Sequence, residues 1–264
     1  MGELAEVPLA GGFTNVGQVT RVGDTVRRPP RSTTPATKAL LEHLERVGFD
    51  GAPRFLEIDD RGREVLSYIR GAAALEPLPS WALTDDALVS VAELLRRYHD
   101  AVASFDPTPH AWPHPVPTAF RGGLVAHNDP NLDNVIFLGG RAVALIDFDL
   151  AGPACAAWDV ACAARLWAPL RAEQDVPESL RGRTIDRLRL FVDAYGMPSH
   201  ERVRVVDAMV DAHDWCYRVV RTAIAAGHEA FAQMWHEGGA RRTDRTRSWI
   251  DTHGHEMRTA LMAR

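Results

Sequence analysis

Between Leu124 and Asp149 the chain reads LVAHNDPNLDNVIFLGGRAVALIDFD, and its polar residues have the types and spacing of an oxygen-ligand site. His127, Asp129 and Asn134 follow an apolar Leu124-Val125 step in the order H-x-D-x-x-x-x-N. Residues 135–137 read as a short strand, Gly139-Gly140 as a two-residue turn, and residues 142–146 as a second strand that ends in Asp147-Phe148-Asp149. Such a hairpin holds Asn134 at one foot and Asp147 at the other, and antiparallel pairing brings the two feet together. Asp129 lies on the loop just before them. Hard divalent cations such as Mg²⁺ take oxygen ligands and share them with phosphates. Asn134 and Asp147 can supply those ligands, which leaves Asp129 to orient a nucleophilic hydroxyl and accept its proton. As ordinary structure the same residues would be turn formers and helix caps. The hairpin spacing favours the site.

Loop and hairpin together resemble the aminoglycoside phosphotransferase family, small-molecule kinases of the protein-kinase-like fold, with HND in place of HRD and DFD in place of DFG. The resemblance implies an α+β, two-lobed fold. Residues 1–70 would form a nucleotide-binding lobe, a small antiparallel sheet with one main helix. Residues 71–264 would form a larger, mainly helical lobe for catalysis and substrate binding. The implied reaction moves the γ-phosphoryl of ATP or GTP to a hydroxyl of a small molecule, an aminoglycoside or another antibiotic among the candidates. Asp129 is then the catalytic residue, and Asn134 and Asp147 are the Mg²⁺ ligands. A catalytically weak nucleotide-binding pseudokinase is the alternative. A protein kinase is a more distant one, because the chain runs from Asp149 through Gly152-Pro153 almost straight into a helix carrying Trp158 and Asp159. That leaves no room for a long regulatory segment.

Ahead of this segment, Gly11-Gly12 and Gly17 bracket a turn, and residues 19–22 and 25–28 read as strands about Gly23-Asp24. By the resemblance these are the loop that covers the phosphates and the strand that carries a phosphate-binding cation. Arg27 or Arg28 stands where lysine is usual, and Arg27 is favoured because Arg28 leads directly into Pro29-Pro30. A helix opens at Thr34-Pro35, with Thr34 as N-cap, Leu40, Leu41, Leu44 and Val47 at the helical period, and Gly48 as its end. Related kinases carry on this helix a glutamate that pairs with the strand cation. Here Thr37 or Lys38 stands in its place and Glu42 lies more than a turn further on, so no partner is identified. Residues 53–58 and 63–69 read as another strand pair. By the resemblance, the backbone of Ser67, Tyr68 and Ile69 would receive the nucleotide base, with Gly71 marking the lobe boundary.

Further on, Leu88, Val91, Leu95 and Tyr98 mark the inner side of a long helix that starts after Thr84. His99 reads as a packed or capping residue, and the resemblance implies that His127 and Asp159 brace the loop. Helices are expected at 180–195, 201–226 and from 243 onward. On the second of these, Asp207, Asp211 and Asp214 recur with Arg218 and Arg221, either as a solvated salt-bridge face or as an acidic stripe for a cationic substrate. A formal net charge of −5 over 264 residues gives no reason to expect a nucleic-acid partner. Three cysteines show neither metal spacing nor a closed disulfide framework. No run reaches transmembrane length, so a cytoplasmic protein with no membrane partner is expected. Its expected partners are a small-molecule hydroxyl substrate and a nucleoside triphosphate.

Overall fold

The computed structural model describes residues 5–9 and 17–263; Gly11-Gly12 of the expected phosphate loop lie outside the described residues. Five short antiparallel strands form the first sheet: β1 (Val7–Pro8), β2 (Thr20–Val22), β3 (Thr25–Arg28), β4 (Phe55–Ile58) and β5 (Glu64–Ser67). Their order is β1-β2-β3-β5-β4, with Val26 opposite Leu66 and Arg28 opposite Glu64. Gly23 takes a positive φ of 61° in the β2–β3 turn, where a side chain would be strained.

Helix α1 (Thr34–Arg46) buries Leu40, Leu41 and Leu44, the apolar positions its periodicity marked. Thr34 is not its cap. The helix starts one residue early, with Thr33 in the capping position, and the Thr34 hydroxyl accepts from the Arg31 N–H (2.8 Å) and donates to Glu64. Competition from that buried carboxylate redirects the hydroxyl. After β5 the chain passes at once to the second part of the molecule, where Ala72 bridges Phe137. Gly71 permits this passage: it adopts φ 142°, and a Cβ there would stand 2.4 Å from the Phe137 carbonyl oxygen.

The remainder is mostly helical. Helix α2 (Asp85–Val102) is capped by the Thr84 hydroxyl, which accepts from the Ala87 N–H (3.1 Å), and it buries Leu88, Val91, Leu95 and Tyr98. Strand β6 (Leu124–Ala126) precedes the hairpin of β7 (Val135–Leu138) and β8 (Arg141–Leu145). Gly139 and Gly140 both have positive φ, as a tight hairpin turn with the twist of its strands requires. Beyond Asp147 come a single 3₁₀ turn and then β9 (Gly152–Ala154), which pairs with β6 before α3 (Ala156–Trp167) begins. Pairing with a strand 28 residues upstream is a non-local event that the local pattern did not announce. Helices α4 (Thr184–Tyr195) and α5 (Ser199–Ala225) follow. The C-terminal stretch divides into α6 (Glu229–Met234), α7 (Ala240–Thr252) and α8 (Gly254–Met262). One apolar core runs from Leu40 and Leu66 through Leu95 and Tyr98 to Trp158, Phe191 and Met209, so both parts share a continuous interior. Among the described residues no helix is long and apolar enough to cross a membrane.

Candidate active site

Hairpin closure brings the feet together: Val135 pairs with Leu145, and the Ile146 N–H donates to the Asn134 carbonyl (2.9 Å). Asn134 and Asp147 therefore flank one point at the mouth of the hairpin. The Asn134 amide NH₂ donates both to the Asp129 carbonyl (3.0 Å) and to the Asp129 carboxylate (3.1 Å). This double donation fixes the orientation of the amide and leaves its oxygen available to a cation. Asp147 holds a left-handed conformation, φ 61° and ψ 70°, which a residue with a side chain adopts at a cost. The conformation follows from ending a strand and entering a 3₁₀ turn within one residue.

Behind the loop sits a network built on Asp159. Its fully buried carboxylate accepts from the backbone N–H of His127 (2.8 Å) and Asn128 (2.8 Å), and from His99 Nε2 (2.9 Å). Burial works against its ionisation, but the His99 hydrogen bond and the charges nearby outweigh it and hold the carboxyl below the usual range. His127 joins the loop to the end of the hairpin: Nε2 donates to the Ile146 carbonyl (3.0 Å), and Nδ1 accepts from the Asp129 N–H (3.3 Å). Asn128, also at positive φ, accepts from Trp158 Nε1 (2.9 Å) and donates to the Leu150 carbonyl (2.8 Å). His99 is a packed residue within this network, its Nδ1 accepting from the Tyr195 hydroxyl (2.7 Å).

Asp129 carries the most perturbed acid of the loop. Loss of solvent first, and the Asp147 charge second, push its carboxyl up to about 8, with Arg165 acting in the opposite direction. Asn131 donates to its other oxygen (3.0 Å), while the Asn131 amide oxygen is buried without a partner.

A cavity of about 260 Å³ opens in front of Asn134 and Asp147, walled by Val26, Leu66, Ile136 and Ile146. Ser67, Tyr68 and Ile69 all line it. The Ser67 N–H is spent on the Arg54 carbonyl (2.9 Å) and the Tyr68 N–H on the Asp24 carbonyl (2.9 Å). Arg28 lines the cavity and Arg27 does not, which corrects the choice of Arg27. Successive strand residues point to opposite faces, and Arg27 turns to the outer one, donating to Thr25 Oγ1 (2.7 Å) with Asp59 at 3.7 Å. Arg28 reaches Asp147 (3.2 Å) and Asp149 (2.9 Å) and pairs with Glu64. Burial alone would weaken its charge, but the three carboxylates reverse that and keep it firmly protonated. The partner sought on α1 thus comes from the neighbouring strand. An antiparallel Arg–Glu cross-strand pair was its only sequence signal.

Asp147 and the Asn134 amide oxygen suit Mg²⁺, a hard cation that completes its shell with water and phosphate oxygens rather than with a full protein cage. Among the described residues no group of three or more His, Cys, Asp or Glu forms a metal cage.

Residues 110–191 match the model of the phosphotransferase enzyme family. The trifolitoxin immunity protein of Rhizobium leguminosarum bv. trifolii is 32% identical, with the match covering 97% of this chain and 98% of that protein. In fold, the chain is similar to a choline/ethanolamine kinase family protein from Mesorhizobium loti, with TM-score 0.62 and 19% identity over 99% of this chain and 92% of that one. It is also similar to an aminoglycoside 2'-phosphotransferase-IIIa variant solved as its GDP complex, with TM-score 0.60 and 16% identity over 96% and 95% of the two chains. With its two-part kinase-like fold and its near-full-length relative, the chain belongs to the phosphotransferase enzyme family, the aminoglycoside phosphotransferases and their kin.

Proposed function

We propose that the protein is a small-molecule kinase that transfers the γ-phosphoryl group of ATP or GTP to a hydroxyl. The observation that carries this reading is that Asn134, hydrogen-bonded to Asp129, lines with Asp147 a cleft whose opposite wall presents Arg28. In this reading residues 1–70 are the nucleotide-binding lobe and 71–264 the catalytic one. The base lies between Val26, Leu66, Ile136 and Ile146, and the Ile69 N–H is its backbone donor, since those of Ser67 and Tyr68 are occupied. Arg28 leaves Asp147 for the phosphates, a site where a guanidinium binds two oxygens at once. Asn134 and Asp147 hold Mg²⁺, which when bound neutralises phosphate charge. Asp129 orients the acceptor hydroxyl and takes its proton, and His127 and Asp159 keep the loop in register. The transition state of phosphoryl transfer is loose, so positioning and charge stabilisation supply most of the acceleration. Such a reaction belongs in the cytoplasm, where ATP is abundant.

The immunity function named for the Rhizobium relative supports an antibiotic-like acceptor over a primary metabolite. The pseudokinase alternative rests on the missing helix glutamate and on arginine in place of the strand lysine; the pairing of Arg28 with Glu64 supports the kinase reading against the first of these grounds. Mg²⁺-dependent phosphoryl transfer to a panel of hydroxyl compounds tests the proposal. Turnover by the native protein and its loss in Asp129→Asn are expected; equal rates in the two would refute it.

A further inference from the structure

Both carboxylate oxygens of Asp149 are held by arginines from β3 and the turn that follows it: Oδ1 by Arg28 Nη2 (2.9 Å) and Oδ2 by Arg31 Nε (2.8 Å). We infer from this double hold that Arg31 is a positioning residue for nucleotide binding, keeping Asp149 neutralised while Arg28 leaves for the phosphates. The inference rests on the kinase reading above and adds to it a residue that acts through Arg28.

Two guanidinium groups serve three carboxylates at this edge of the cleft. Arg28 pairs with Glu64 and reaches Asp147 (3.2 Å) as well as Asp149, whereas Arg31 pairs with Asp149. His114 also lies within electrostatic reach of Asp149, but burial lowers its pKa, so at neutral pH it supplies no third cation.

The two carboxylates that Arg28 would leave differ in what remains to them. Asp147 is 36% exposed and lines the cavity, where a divalent cation replaces the guanidinium charge. Asp149 is 16% exposed and does not line that cavity. A carboxylate so placed is costly to leave unpaired. Once Arg28 moves, Asp149 keeps a direct counter-charge because Arg31 already sits on its second oxygen. Without Arg31, Asp149 would retain Arg28 and compete with the phosphates for it.

The backbone holds Arg31 at this position. Pro29-Pro30 separate the two arginines, and their rings fix φ between them. The Arg31 N–H donates to Thr34 Oγ1 (2.8 Å), and the Thr34 N–H donates to the Arg31 carbonyl (3.0 Å). The Thr34 hydroxyl in turn donates to Glu64, the partner of Arg28. The Arg31 side chain enters none of these backbone contacts, so the turn persists when that side chain is replaced.

Calorimetric titration of the full chain with ADP in the presence of Mg²⁺ tests the inference, with circular dichroism to verify the fold of each variant. Arg31→Gln should bind ADP about tenfold more weakly than the native protein, because Asp149 then retains Arg28. Arg31→Lys keeps the charge and should stay within about threefold of native. Asp149→Asn alone should bind ADP at least as tightly as native, since an amide makes no ionic claim on Arg28. Added to Arg31→Gln, Asp149→Asn should restore native affinity, an outcome that mere loss of a structural contact would not produce. Native affinity in Arg31→Gln, or a loss that Asp149→Asn does not restore, would overturn the inference and leave the kinase reading standing. Failure of the native protein to bind ADP would count against the kinase reading and overturn the inference with it.

Discussion

Arg28 on β3 and Glu64 on β5 are cross-strand partners, and their side chains form an ion pair buried at the edge of the cleft, 7% and 1% exposed respectively. Glu64 also receives the Thr34 hydroxyl from the first turn of α1, so strand cation, neighbouring strand and helix share one carboxylate. The carboxylate that braces the cation is thus part of the sheet itself, and the position of α1 follows from it.

Removing one member of this pair should be expensive. Glu64→Gln leaves a buried guanidinium with only Asp147 and Asp149, and such losses cost about 3–5 kcal/mol when no charge remains nearby. Because two carboxylates stay in place, a loss of about 2 kcal/mol is expected, read as a lowered midpoint in denaturant unfolding.

The two neighbouring arginines should separate in nucleotide binding. Charged hydrogen bonds contribute about 1.5–3 kcal/mol, so Arg28→Gln should raise the KM for ATP by roughly ten- to a hundredfold. Arg27→Gln, which changes the outer face of the sheet, should leave that KM within about twofold. Steady-state kinetics on the two variants decides between them.

Asp129 must be ionised to accept a proton, and burial with the Asp147 charge raises its pKa to about 8 in the cation-free protein. Activity should therefore rise with pH and be lost as pH falls through that region. Cation binding at Asp147 cancels the second cause, so a higher Mg²⁺ concentration should move the midpoint of kcat/KM to lower pH. Asp129→Asn should lower kcat by about 10²–10⁴-fold. A midpoint independent of Mg²⁺ would contradict this electrostatic account.

His213 should limit stability in acid. Its Nε2 donates to the Thr243 carbonyl (3.1 Å), its Nδ1 is buried without a partner, and burial followed by the Arg165 charge lowers its pKa to about 4. The unfolded chain binds this proton near pH 6.5 and the folded one does not, so stability is complete above that range and falls as pH drops toward 4. The contribution lost is at most about 3 kcal/mol. Thermal melts of His213→Asn should show a shallower loss of Tm across the same window.

Asp159 should be the least replaceable residue of the second part. Asp159→Ala leaves the His127 and Asn128 N–H groups and the His99 ring without their acceptor, at about 1–3 kcal/mol for each buried group. A Tm drop of about ten degrees or more is expected.

Much of the site was legible because it is local. The loop, two short strands and a Gly-Gly turn occupy 26 residues, and antiparallel closure of such a hairpin needs no help from the rest of the chain. Asn134 and Asp147 therefore meet for reasons written in the residues between them. The apolar spacing of α1 and α2 likewise marked the buried faces of both helices, since a helix that buries one side must repeat at its own period. Local pattern misled at Thr34, where the residue types of a cap were present but a buried carboxylate competed for the hydroxyl.

By itself, then, the sequence determined the kinase-like hairpin, the helical periods and the residue types able to do phosphoryl transfer, all of which depend on short-range geometry. Which arginine faces the cleft depended on strand parity, and parity is set only when β3 pairs with β5 and one face of the sheet is covered. Glu64 became the cation's partner because those strands lie side by side, although 36 residues separate the pair in the chain. Arg165 came within electrostatic reach of Asp129 through the packing of α3 against α5 and the tie between Trp167 and the Pro130 carbonyl, which no local spacing encodes. Tertiary structure decided which charges meet, because only packing brings side chains that are distant in the chain within reach of one another.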